Sequence, residues 1–316
     1  WIELLKLGFG DRRGDWFNEK GVAAFKNRRR TTRYRISATQ WHNLSHGIFN
    51  KMLVEQADRE SIILKGFDGL VNYQDDNKTD RLRNHLKTFN AFLDNQEITH
   101  PEINKKSVRT RKHFKRSFKY TFNHGGRFYG HWVVTLPKEQ RQQLLFNNEP
   151  VCELDYSAMH PHILYSLKGL DYAQCYNDED PYNILGLTRG EAKAAFNVAL
   201  NNKTKRGFSV ALKHKLIEDG VAVPQIGFKG TPYRNALEDK LHHVVEYFYK
   251  GKSSMWGLRC QYIDSCIMET LLDELMALDV CCIPMHDGII VPRSKMNVTK
   301  ALMEKVWKEQ RKTMYL

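Results

Sequence analysis

Two apolar stretches, each ending on an aspartate, constrain this chain more than anything else in it. Residues 151–156 read VCELDY, and residues 280–292 read VCCIPMHDGIIVP. The first is a strand signal that stops at Asp155. The second reads as two short strands around Asp287-Gly288, a dipeptide that favours hairpin turns. A single Asp at a strand end is ordinarily a turn or N-cap residue. Two such ends on adjacent antiparallel strands would bring both carboxylates to one spot, where they could share two divalent ions about 3.5–4 Å apart. Mg²⁺ takes few carboxylates and completes its octahedron with water and substrate phosphates. The pair therefore suits phosphoryl transfer from a nucleoside triphosphate.

The charge balance points the same way. The 316 residues carry a formal charge of +13, and an excess of Lys and Arg attracts phosphates without regard to sequence. Nucleic acid is the partner this implies. No apolar run is long enough to span a bilayer and no signal peptide is visible, so no membrane partner is expected. The six cysteines show no zinc-like spacing and read as reduced, buried thiols of a cytoplasmic protein. Trp rather than Met opens the chain, in keeping with a longer natural N-terminus.

Residues 1–120 are polar, basic and mostly helical in pattern. KNRRRTTRYR (26–35) is a block of positive charge. TDRLRNHLKTFNAFLDN (79–95) is an amphipathic helix with Leu82, Leu86, Phe89 and Phe92 on one face. KKSVRTRKHFKRSFKY (105–120) interleaves cations with aromatics, so Arg111, Lys115 and Arg116 are candidates to straddle a nucleic-acid backbone while rings stack on bases. From 121 onward the pattern changes. NHGGRFYGHWVVTLP (123–137) reads as a Gly-rich turn entering a β-like stretch, with two glycines that permit close backbone approach. Helices are expected after Pro161 to about 169, and over 187–202, 231–251 and 258–279.

These residues are recognisable as a set. LDYSAMHPHILY resembles motif A of the family A DNA polymerases, and MHDGIIVP resembles motif C. HGGRFYG looks like the element upstream of motif A. RGEAKAAFNVALNN is similar to the fingers helix, motif B, and LRCQYIDSCIMETLLDELMALD to the palm helix before motif C. The resemblance runs from 121 to 316 with the motifs in order. It implies an α+β right-handed polymerase with an antiparallel palm sheet, helical fingers at about 170–255 and a basic, helical, thumb-like region over 1–120. Asp155 and Asp287 would hold two Mg²⁺ ions, with Mn²⁺ as a substitute, and the Tyr156 backbone carbonyl would complete one metal shell. Arg189 and Lys193 stand four apart on one helical face and would grip the triphosphate, with Phe196 and Asn197 on the same helix; His160 would sit beneath the sugar. Arg127, Arg141, Gln261 and His286 would touch the primer–template.

Some positions depart from the family pattern. Its DNA enzymes carry Glu where this chain has His160, and Glu where it has Gly288; in motif B, Phe196 falls one residue early relative to Lys193. The first two changes lean toward the related single-subunit RNA polymerases, which lack both glutamates, whereas Tyr156 is a DNA-polymerase feature. No acidic segment before residue 120 fits a proofreading exonuclease. The expected activity is template-directed nucleotidyl transfer: a DNA polymerase extending a primer 3′-hydroxyl with deoxynucleoside triphosphates, in a bacterial, phage or plasmid setting. The alternatives are an RNA-making polymerase or primase of the same fold, and a polymerase-like nucleic-acid binder weak in chemistry.

Overall fold

The computed structural model describes residues 60–101, 111–177, 179–224, 226–251 and 255–314. The basic block at 26–35 and the first part of the 105–120 stretch lie outside the described residues. In chain order the elements are β1 (Ile62–Lys65), α1 (Asn77–Asp94), β2 (Ile98–Thr99), β3 (Lys115–Lys119), β4 (Thr121–Tyr129), α2 (Lys138–Arg141), β5 (Leu145–Phe146) and β6 (Glu149–Asp155). There follow α3 (Met159–Leu167), α4 (Tyr172–Tyr176), α5 (Arg189–Asn201), α6 (Phe208–Glu218), α7 (Thr231–Lys240), α8 (Trp256–Ala277), β7 (Ile283–Met285), β8 (Gly288–Pro292) and α9 (Met296–Thr313).

The class is α+β. One sheet has the order β2-β5-β6-β8-β7 and is antiparallel throughout; the other, β1-β3-β4, pairs β1 with β3 in parallel and β3 with β4 antiparallel. The run Gly-Ile-Ile-Val-Pro of β8 is buried at every position because it is the inner strand between β6 and β7. α8 packs along β4 and also meets α3, α5 and α9, so this long helix links the two sheets to the helical part of the chain.

Local sequence accounts for most boundaries. α1 starts at a capping box, with the Asp76 side chain accepting from Thr79 N–H and the Thr79 hydroxyl answering the cap backbone. Its buried stripe is Leu82, Leu86, Phe89 and Leu93; Phe92, expected on that face, is only half-buried. Phe89 meets Phe114 and Phe128 at ring-centroid distances of 5.6 and 6.3 Å, which fastens α1 to β3 and β4. The helix expected over 231–251 stops at Lys240 and continues as a 3₁₀ segment over His242–Tyr247.

Several expectations change here. Residues 115–119 form a strand, not a helix, and the boundary drawn after residue 120 falls between two paired strands. Residues 60–316 cluster as one unit, with no break in packing at 120. The glycines of HGGR lie inside β4 rather than in a turn ahead of it. Gly125 and Gly126 have φ of 77° and 82°, opposite a register shift at Phe118, which is a β-bulge. The close approach they permit is internal: a Cβ on Gly126 would lie 2.5 Å from the Phe118 ring.

Candidate active site

β6 and β8 run antiparallel with Asp155 opposite Gly288, and the Tyr156 N–H donates to the Asp287 carbonyl at 3.2 Å. Asp155 thus ends one strand beside the residue that precedes the next. Asp287 is the second residue of a two-residue hairpin turn between β7 and β8, whose first residue, His286, has φ of 64°. Positive φ is what such tight turns demand. The two aspartates, far apart in sequence, are neighbours because of this register.

Gly288 makes the arrangement possible. A Cβ there would lie 1.8 Å from Asp155 Oδ1 and 2.9 Å from the Leu154 carbonyl. The Asp155 carboxylate occupies the space that any side chain at 288 would need. Its outer side is open to solvent. Crowding by protein on the inner side, followed by the Asp287 carboxylate, raises its pKa above the ordinary value, while Lys138 and Lys193 pull it down. Two carboxylates that repel each other, with cations nearby, form a hard-oxygen donor set suited to divalent Mg²⁺ or Mn²⁺.

Arg127, His160 and Asp264 form a second polar cluster. Asp264 lies on α8 and is fully buried. The Arg127 Nε–H reaches both carboxylate oxygens at 3.1 Å, and Arg127 Nη2 forms an ion pair with Oδ2. Burial works against the Arg127 charge, and Asp264, then Asp287, more than offset it, so its pKa is raised. His160 Nε2 lies 2.9 Å from Asp264 Oδ2 and 3.3 Å from Arg127 Nη2. Arg127 is thus anchored to α8 through Asp264 and remains partly exposed. Burial, with Arg127 adding, lowers the pKa of His286, whose ring meets Tyr129 at 5.6 Å.

The helix α5 carries the expected phosphate-gripping face. A capping box of Thr188 and Glu191 starts it. Arg189 and Lys193 are exposed and Asn197 is half-buried on the next turn. Arg189 Nε donates to Asp180 at 2.5 Å, and its guanidinium stands 5.3 Å from the Tyr182 ring centroid. Phe196, two turns after Arg189, is turned into the protein. It is 0% exposed, between Tyr182 and Phe248, and so is a core residue, not a nucleotide contact.

Two arginines expected on nucleic acid are structural. Arg116 is 0% exposed; it pairs with Glu269 of α8, donates from Nε to the Gly126 carbonyl at 2.7 Å and from Nη2 to Ser265 Oγ at 2.9 Å. Strand alternation turns Arg116 inward with Phe114 and Phe118, where no duplex can reach it. Arg141 holds both Glu153 oxygens, at 3.1 and 2.9 Å, and the Leu136 carbonyl, bracing β6 against the α2 turn. Lys115 is half-buried opposite Tyr129, and Arg111 is exposed. Gln261 is half-buried on α8, one turn before Asp264. The Tyr156 hydroxyl donates to the Met303 carbonyl at 2.9 Å, so its ring ties β6 to α9.

Sequence reasoning missed Asp264. A signal was present: it falls in phase with Cys260, Ile267 and Leu271 on the buried stripe of α8, and an acid in an apolar stripe needs a partner. No family model and no curated protein matches this chain. No described helix is long and apolar enough to cross a membrane.

Proposed function

We propose that the chain is a template-directed nucleotidyltransferase, a DNA polymerase that extends a primer 3′-hydroxyl with deoxynucleoside triphosphates. The observation that carries this reading is the pairing of Asp155 with Gly288 and of Tyr156 N–H with the Asp287 carbonyl, which sets two carboxylates side by side with Lys193 in electrostatic reach. In this reading β6, β7 and β8 belong to the palm and α5 to the fingers.

Asp155 and Asp287, with the Tyr156 backbone carbonyl, would hold two Mg²⁺ ions. Bound there, such ions lower the pKa of the attacking hydroxyl and neutralise the leaving pyrophosphate. The chain's own residues do the rest. Lys193 supplies a point charge and Arg189 a planar fork for the triphosphate, and the ladder between β6 and β8 keeps the carboxylates from separating. Arg141, through Glu153, holds β6 in register. The net charge of +13 draws the primer–template by its phosphates. A cytoplasmic, bacterial, phage or plasmid setting goes with this reading.

One observation favours an RNA-making enzyme of the same kind. The space above Gly288 is filled by Asp155, so the glutamate that follows the motif C Asp in the DNA enzymes has no room here. Extension of a primer on a defined DNA template, with the deoxy and ribo nucleotide sets supplied separately, distinguishes the readings. The proposal expects extension with both and a preference for deoxynucleotides. Extension with ribonucleotides alone makes this an RNA-making enzyme, and extension with neither set refutes both.

A further inference from the structure

A cavity of about 310 Å³ opens beside the end of β6, lined by α3 and α9. Its volume is near the lower bound of about 300 Å³ for small-molecule sites, room for on the order of ten waters. α9 contributes Lys300, Met303, Glu304 and Trp307, spaced i, i+3, i+4 and i+7 and so on one helical face. α3 contributes Met159 and His162, and β6 ends there with Leu154 and Asp155.

The lining divides by chemistry. Met159 and Met303 are buried, and the His162 and Trp307 rings meet edge-on, 6.1 Å apart at 85°. The Tyr156 hydroxyl, donating to the Met303 carbonyl at 2.9 Å, holds this stretch of α9 to β6. Two thioethers and an indole favour a flat aromatic guest, through sulfur–ring contact and stacking. Asp155, Lys300 and Glu304 are the exposed charged members. With His162 neutral, two carboxylates stand against one ammonium, so the cavity is locally negative in a chain of net charge +13. Such a field selects cations. Among the described residues Glu304 has only Lys308, at 4.0 Å on the surface, as an ion-pair partner, and Asp155 has none.

We propose that this cavity is a ligand site for a planar aromatic cation, a one- or two-ring compound bearing an amidinium or a protonated amino group. The ring lies against Trp307 and the two methionines. Its N–H groups donate to Asp155 and Glu304, as a guanidinium fork donates to a carboxylate. The site itself does not depend on the polymerase reading. Its consequence for activity does rest on that reading: a guest here engages the carboxylate that the chemistry needs, so occupancy slows nucleotide incorporation.

The test uses the full chain and two probes of one shape and opposite charge, benzamidine and benzoate. Tryptophan indoles are labelled with ¹⁵N, and the Trp307 signal is assigned by its loss in Trp307→Phe. At about pH 8, above the ordinary histidine range, benzamidine is expected to shift that signal saturably, and benzoate to bind about tenfold more weakly or not at all. Asp155→Asn and Glu304→Gln should each weaken benzamidine about tenfold, the loss of one charge-assisted hydrogen bond, without weakening benzoate. Should Asp155→Asn not fold, Glu304→Gln on the surface carries the comparison. An unmoved Trp307 signal, equal or tighter binding of benzoate, or benzamidine affinity unchanged by the variants would each overturn the proposal. In primer extension, benzamidine is expected to slow wild type more than Glu304→Gln. Saturation of the Trp307 signal without slowing refutes the inhibitory consequence alone. A wild type that binds benzamidine and incorporates no nucleotide refutes the polymerase reading and upholds the site.

Discussion

Replacing Gly288 by alanine adds one methyl group at the point where the two strands carrying the aspartates meet. That methyl carbon would start 1.8 Å from Asp155 Oδ1, and ordinary contact begins near 3.4 Å. The oxygen must therefore retreat by about 1.6 Å, or β8 must shift by a comparable amount. The strand has little freedom to do so, since Gly288 is paired with both Asp155 and Met285 and every residue of β8 is buried. The carboxylate is the part that moves, leaving its rotamer or rotating away from Asp287. Overpacking of this kind costs about 1–3 kcal/mol of stability. A misplacement of about 1 Å at a reacting centre costs on the order of 10²-fold in rate, or about 2.7 kcal/mol in the barrier. The assay is single-turnover incorporation at saturating nucleotide, normalised to the folded fraction from a urea melt. Gly288→Ala is expected to remain folded, to lose about 1–3 kcal/mol and to incorporate about 10²-fold more slowly. Incorporation within about threefold of wild type, far inside that loss, would refute the reasoning that Asp155 must stand where Gly288 lets it.

Three further expectations follow from other contacts. Lys193→Ala should raise the KM for nucleotide and lower kcat with little change in duplex affinity; because Lys193 lowers the Asp155 pKa, the acid limb of the pH–rate profile should move to higher pH, and an unmoved limb would contradict the coupling. Arg116→Ala leaves Glu269 buried with one partner fewer and should cost about 3–5 kcal/mol in urea unfolding, with duplex affinity unchanged once corrected for folded protein; normal stability with lost binding would return Arg116 to the nucleic-acid surface. His131 is buried against Phe114, with Nδ1 accepting from the Val133 N–H; burial, helped by His113 and Lys112, pushes its pKa down to about 3 from the ordinary 6.5. Its contribution is full above pH 6.5 and is lost as pH falls toward about 3, at about 1.4 kcal/mol per unit. His131→Phe should flatten the stability–pH curve across that window, and an unchanged slope would show that His131 is not the group responsible.

How much could be read from residues alone depended on whether a pattern was local. Strands β6, β7 and β8 and the helices α5 and α8 were legible because apolar runs and helical periodicity act within a few residues, although the hairpin turn is His286-Asp287, one residue before the expected Asp287-Gly288. The approach of Asp155 to Asp287 followed from antiparallel pairing, but the reason for Gly288 did not, since it depends on which atom faces the glycine across the strand. The KRSFK segment misled because its alternation buries a cation: Arg116 enters the core beside Phe118 only because Glu269 and Ser265, about 150 residues later, await it. Phe196 misled for the converse reason. Helical spacing puts it on the same side of α5 as Arg189, but its ring is buried between Tyr182 and Phe248, and Tyr182 also lies beside the Arg189 guanidinium. Asp264 was legible only as an acid out of place.

Rapid-quench incorporation of one deoxynucleotide by wild type, Asp155→Ala and Asp287→Ala, with Mg²⁺ and a defined primer–template, tests the central claim most directly, with duplex affinity measured on the same preparations. The two carboxylates acting as one site require that wild type extends the primer, that each variant alone abolishes extension, and that both still bind the duplex. Near-normal extension by either variant would contradict the claim that Asp155 and Asp287 form the catalytic pair.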